Sequence, residues 1–124
     1  MRPASATEML NFFFRPVGRI GRTGYALGIG TVVAIEAAVV TFFLGHEDTD
    51  PGAALLLLVL VGLPVVVAEL VLVAKRCHDV GLPGLFVVLL FVPVLGVGWL
   101  LLLAGMPGSP GLNPYGAPPG FDPD

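Results

Sequence analysis

Residues 51–74 read PGAALLLLVLVGLPVVVAELVLVA, and Glu69 is the single charge among them. A helix needs about 20 apolar residues to cross the roughly 30 Å hydrocarbon layer of a bilayer, so this run is long enough to span one. Two similar runs flank it. Thr23 to Gly45 is broken only by Glu36, and Val80 to Met106 carries no charge at all. Backbone polar groups inside lipid must be satisfied within the segment, which favours helices. None of the runs alternates with period two, which argues against barrel strands. The sequence therefore predicts an all-α integral membrane protein with transmembrane helices at 23–45, 52–74 and 84–104.

Composition agrees. Of 124 residues 56% are hydrophobic and 12% charged, whereas a soluble domain is about 25% charged. Net charge is −3, and no basic strip with interleaved aromatics appears, so nucleic acid is not an expected partner. Cys77 is the only cysteine, which excludes an internal disulfide.

The connections are short. His46 to Asp50 is an acidic turn, so the first two spans form an antiparallel hairpin. Lys75 to Asp79 leads through Gly81, Leu82 and Pro83 to Gly84, which ends one helix and opens the next. Residues 105–124 are rich in Pro and Gly and read as an extended tail. All six basic residues lie before the first span or in the second loop. The positive-inside rule then puts the N-terminus in the cytoplasm and, across three spans, the tail outside. The first run is too long for a signal-peptide core, and no small-residue cleavage site follows it.

Residues 5–16 read as a short interfacial helix opened by a capping box, Ser5-Ala6-Thr7-Glu8. Its aromatics Phe12, Phe13 and Phe14 face the acyl boundary, with Arg15, Arg19 and Arg22 toward anionic headgroups. Lys75 and Arg76 are expected to complement the second helix's dipole and grip headgroups too. Tyr25 and Trp99 read as interface aromatics. Gly24 and Gly28, with Gly30 beyond them, give the first helix a smooth face for packing, as do Gly96 and Gly98 on the third. Pro64 and Pro93 should bend the second and third spans.

Glu36 and Glu69 are the intramembrane carboxylates, and two readings stand. Either each is neutralised locally, Glu36 by protonation and Glu69 by Lys75 or Arg76, or the two mark a proton or solute path. Helix rise puts Glu36 about 16 Å from the cytoplasmic face and Glu69 about 9 Å, which leaves them offset. Cys77, His78 and Asp79 are adjacent in sequence, but neighbours on one helix point apart, so no catalytic dyad follows. No catalytic, metal or cofactor set is predicted.

Three stretches occur in a particular order: GRIGRTGY at Gly18–Tyr25, KRCHDVGLPG at Lys75–Gly84 and PGSPGLNPYG at Pro107–Gly116. Together they resemble the "domain of unknown function 805" family of small bacterial inner-membrane proteins, over about residues 12–118. The resemblance implies a multi-pass inner-membrane location and no defined activity, and it singles out Arg19, Arg22, Tyr25, Arg76, His78, Asp79, Asn113, Tyr115 and Gly116. Ala26, Lys75, Cys77, Pro83 and Pro114 depart from the family pattern. On the three-span topology Arg19 or Arg22 can pair with Asp79 while the tail motif sits alone on the other side. Convergence of all three motifs would need a re-entrant third segment or two crossings, for which the 27 residues from Val80 to Met106 are too few.

The functional expectation is a non-enzymatic accessory or scaffolding subunit that packs against itself or a larger membrane complex. The alternatives are an oligomeric pathway using Glu36 and Glu69, and a lipid or envelope-stress sensor using the aromatic-arginine segment.

Overall fold

A computed structural model describes residues 2–120. Its elements are α1 (Ala6–Phe14), α2 (Arg22–Gly45), α3 (Pro51–Leu57), a π-helical turn (Leu58–Gly62), α4 (Leu63–Asp79), a 3-10 helix (Gly84–Phe91) and α5 (Pro93–Gly105). No strand occurs among the described residues, only an isolated bridge between Asn113 and Gly116.

Helix α1 starts at the predicted capping box. The Glu8 N–H donates to Ser5 Oγ at 3.2 Å, and the Ser5 N–H donates to the Glu8 carboxylate at 2.7 Å. Pro16 stops it, because the residue before a proline is driven out of helical geometry. At its other end Lys75 Nζ donates to the carbonyls of Asn11 and Phe12 at 2.9 and 2.7 Å. A lysine from another helix thus caps the last turn of α1, whose Asn11 carbonyl also accepts the Arg15 N–H at 3.1 Å.

Two elements are long and apolar enough to cross a membrane: α2 and the continuous Pro51–Asp79 rod formed by α3, the π turn and α4. They pack antiparallel, joined by the acidic turn. Asp50 caps the rod by accepting from the Ala53 N–H at 3.0 Å, with Pro51 in its first turn. The expected disturbance at Pro64 takes the form of the π turn just ahead of it, a widening that accommodates the missing N–H. Gly24 and Gly28 are packed within the chain. A Cβ on Gly28 would lie 3.0 Å from both Leu72 and Phe12, so these glycines admit α4 and α1 and not a second protein.

The expected span at 84–104 is not a single helix. Val92 is extended (φ −99°, ψ 113°) ahead of Pro93, and the chain reverses there. Gly84 lies against His78 next to the end of α4, and the Leu103 carbonyl at the end of α5 accepts from Arg76 Nε at 2.8 Å. Both ends of the segment therefore sit at one end of the bundle. Eight residues of 3-10 helix rise about 16 Å, and thirteen of α-helix about 20 Å, so each limb reaches only partway across a 30 Å layer. The 27 residues are too few for two crossings but enough for two half-crossings. Gly96 makes the reversal compact, since a Cβ there would come within 2.8 Å of the Leu90 carbonyl oxygen.

The core forms where this hairpin covers α2 and α4, around Leu72, Val73, Cys77 and Leu103, all fully buried. Tyr25 and Trp99, expected at an interface, are buried in it as well. The tail does not leave on the far side. It folds over the end of the bundle where α2 begins and α4 ends.

Candidate functional site: a polar cap and a lateral groove

Helix α4 ends in a Schellman motif. The Leu82 N–H donates to the Cys77 carbonyl at 2.8 Å and the Gly81 N–H to the His78 carbonyl at 3.1 Å, with Gly81 at φ +84°. This termination places Arg76, His78 and Asp79 in the last turn, under the loop that precedes α2 and under the tail.

Arg76 is fully buried. Its Nε donates to the Leu103 carbonyl, Nη1 to the Ile20 carbonyl at 3.2 Å and to Asp79 Oδ2, and Nη2 to the Met106 carbonyl. Arg19 approaches Asp79 from the other side, with its Nε 2.9 Å from Oδ1. Its remaining N–H groups donate to the carbonyls of Ser109 (2.7 Å), Gly111 (2.7 Å) and Gly116 (3.2 Å). One carboxylate is held between two guanidiniums, and their other donors are spent on backbone carbonyls. Such a cluster tolerates burial because its donors and acceptors are matched.

The tail is fastened at further points. The Ser109 N–H donates to the Asp79 carbonyl at 2.7 Å, and Asn113 Nδ2 to the His78 carbonyl at 2.8 Å. The Tyr115 ring stacks on His78 with centroids 4.1 Å apart and planes 8° from parallel. His78 Nδ1 lies 3.0 Å from the Gly18 carbonyl, which can only accept, so Nδ1 carries the proton. A Cβ on Gly108 would overlap the Asp79 carboxylate. Gly116, at φ +120°, closes the turn that presents its own carbonyl to Arg19.

The structure thus joins Arg19, Arg76, His78, Asp79, Asn113, Tyr115 and Gly116 in one cap. Tyr25 supports it from below, its hydroxyl donating to the Leu100 carbonyl at 3.0 Å. Arg22 stays outside, exposed at the first turn of α2. Three expectations change. Lys75 and Arg76 are buried and bonded within the chain, so they do not grip headgroups. Arg19 turns inward, and the tail motif lies beside the other two. Sequence reasoning missed Lys75 as the clamp on α1 and Gly108 as the seat of Asp79. The Lys75 interaction has no local signal, because its acceptors are main-chain carbonyls more than sixty positions away. Cys77 and His78 point apart, the thiol into the core and the imidazole onto Tyr115.

A second feature lies below the cap. A groove of about 640 Å³ opens sideways between α2 and α5, and Glu36 and Glu69 both line it beside Leu90 and Pro93 at the hairpin tip. Glu36 and Glu69 thus share one groove, contrary to the offset inferred from helix rise. Side chains lean toward the N-terminus of their own helix. Because α2 and α4 are antiparallel, Glu36 leans toward the cap, Glu69 leans away from it, and the offset closes.

Fold and cap together define a small all-helical protein built on two helices of membrane-crossing length, with a half-length hairpin latched by a buried charge cluster. The chain belongs to the family described as protein of unknown function (DUF805), whose model matches residues 13–117. No curated protein and no solved structure is significantly similar to it.

Proposed function

We propose that this is a non-enzymatic protein of the bacterial cytoplasmic membrane that works by helix packing, as an accessory or scaffolding subunit or as a homo-oligomer. In this reading α2 and the α3–α4 rod span the bilayer. The cap lies at the cytoplasmic surface, where the basic residues collect, and both N-terminus and tail are on that side. One observation carries the proposal: no residue from Val33 to Pro64 is buried. The hairpin shields only the cap half of the helical pair. The other half is two bare helices with Val40, Leu44, Leu56 and Leu60 exposed, and a pair this thin gains packing from a further helix. The cap supports a structural and non-catalytic role, because its polar groups are engaged with one another and with the backbone.

Purification from the native host in nanodiscs, followed by mass spectrometry, tests this. The expected result is a stoichiometric partner or a defined homo-oligomer, with photo-crosslinks from Leu56 to protein and not only to lipid. A monomer that crosslinks only to lipid would overturn it. A second reading, an oligomeric proton or solute path, is favoured by the meeting of Glu36 and Glu69. It requires that Glu36→Gln abolish a flux into vesicles that the unaltered protein supports.

A further inference from the structure

The groove between α2 and α5 has the dimensions of a small-molecule site, within the roughly 300–1,000 Å³ usual for one. Its walls are apolar: Ala26, Gly30 and Val33 on one side, Val97 and Leu101 on the other. It opens to the side, toward lipid in the proposed orientation, and its acidic groups are Glu36 and Glu69, while Tyr25, which also lines it, already donates its hydroxyl to the Leu100 carbonyl.

Among the described residues no basic side chain pairs with those carboxyls. Arg2 pairs with Glu8, and Arg19 and Arg76 pair with Asp79. Lys75 is spent on the carbonyls of Asn11 and Phe12. Arg15 and Arg22 are exposed at the cap end. The groove therefore carries two acidic side chains with no basic partner among the described residues.

We propose that this groove binds a lipophilic cation: a molecule with an apolar body that lies along α2 and α5 and a positive centre that rests against Glu36 and Glu69. The argument is charge complementarity. An apolar molecule gains nothing from the carboxyls, and an anion is repelled by them. A hydrated inorganic cation does not fill the apolar walls. The site belongs to one chain and does not depend on the accessory-subunit reading, which concerns the bare half of the helices beyond the hairpin.

The test uses two ions of nearly the same size and shape and opposite charge, tetraphenylphosphonium and tetraphenylborate, titrated into the full-length protein in nanodiscs. Empty nanodiscs give the lipid partition to be subtracted. Saturable binding of the phosphonium near one per chain is expected, with none for the borate. Glu36→Gln with Glu69→Gln should weaken phosphonium binding at least tenfold. Gly30→Leu supplies a second variant that leaves both carboxyls in place. Position 30 has open space around it and favours helix as leucine, so the protein should fold while the groove fills. It should block binding as well. Equal binding of the two ions, absence of saturable phosphonium binding, or full binding by the double glutamine variant or by Gly30→Leu would each overturn the proposal. Co-purification of a partner is read separately and is unaffected by any of these outcomes.

Discussion

Arg76 shows how much one side chain can organise when its donors are directed at four different elements. It reaches the loop before α2, its own helix, the end of α5 and the start of the tail. A lysine cannot reproduce this, because an ammonium is a compact point charge and the guanidinium is a planar fork. Removing one partner from a buried ion pair costs about 3–5 kcal/mol, mostly from the charge left behind. Arg76→Ala should therefore destabilise the protein by that order in thermal or denaturant unfolding in detergent, and Arg76→Lys should recover less than half of the loss. A change within error of the parent for Arg76→Ala would mean that the cluster contributes no net stability. Arg22→Ala, outside the cluster, should stay within about 0.5 kcal/mol of the parent.

At the scale of elements, the reversal at Val92–Pro93 decides the architecture. Gly96 is its steric condition, since any side chain there meets the Leu90 backbone. Gly96→Val should push the two limbs apart and cost about 1–3 kcal/mol, the range for overpacking. Spin labels on Val87 and Leu101 should read a longer distance in the variant, while unchanged distances would show that the limbs do not close on that glycine. The sequence shows why this element was misread. From Val80 to Met106 no charge or polar patch marks where a crossing ends, so hydropathy alone cannot tell one full crossing from two halves. Pro93 and Gly96 were visible, but a proline in a long apolar run reads as a bend. The α2 span, the antiparallel partner rod and the capping box were legible, because length, charge placement and local hydrogen-bond chemistry specify them. The Arg19–Asp79 pair was legible from the shared face of the first two motifs, but the tail's place beside them was not, since it depends on the hairpin. That Glu36 and Glu69 share one groove was hidden by reasoning from backbone rise without side-chain lean.

For the whole molecule, the proposed orientation has two full crossings and puts the cap and the tail on one side. A cysteine in place of Ala117 should resist a membrane-impermeant maleimide in intact spheroplasts and react once the membrane is opened. A cysteine in place of Thr49, in the turn at the opposite end, should react in intact spheroplasts. Cys77 can stay in place because it is buried. Labelling of position 117 from outside would restore the three-span topology and remove the cap from one side of the membrane. The same geometry divides the molecule by mechanical character. The cap half is cross-braced by five segments, whereas the far half is held by the pairing of two helices alone, and regions with few buried contacts are where local opening is cheapest.

Arg19 is joined to carbonyls 90, 92 and 97 positions further along the chain. A ribosome adding about 5–20 residues each second therefore makes this arginine several seconds before the groups that will enclose it exist. Until then the Arg19 guanidinium lacks three of its carbonyl acceptors. The tail fastens the loop before α2, so a chain cut short before Ser109 keeps its long helices and the Arg76 bonds to Leu103 and Met106 but loses the carbonyls that hold Arg19.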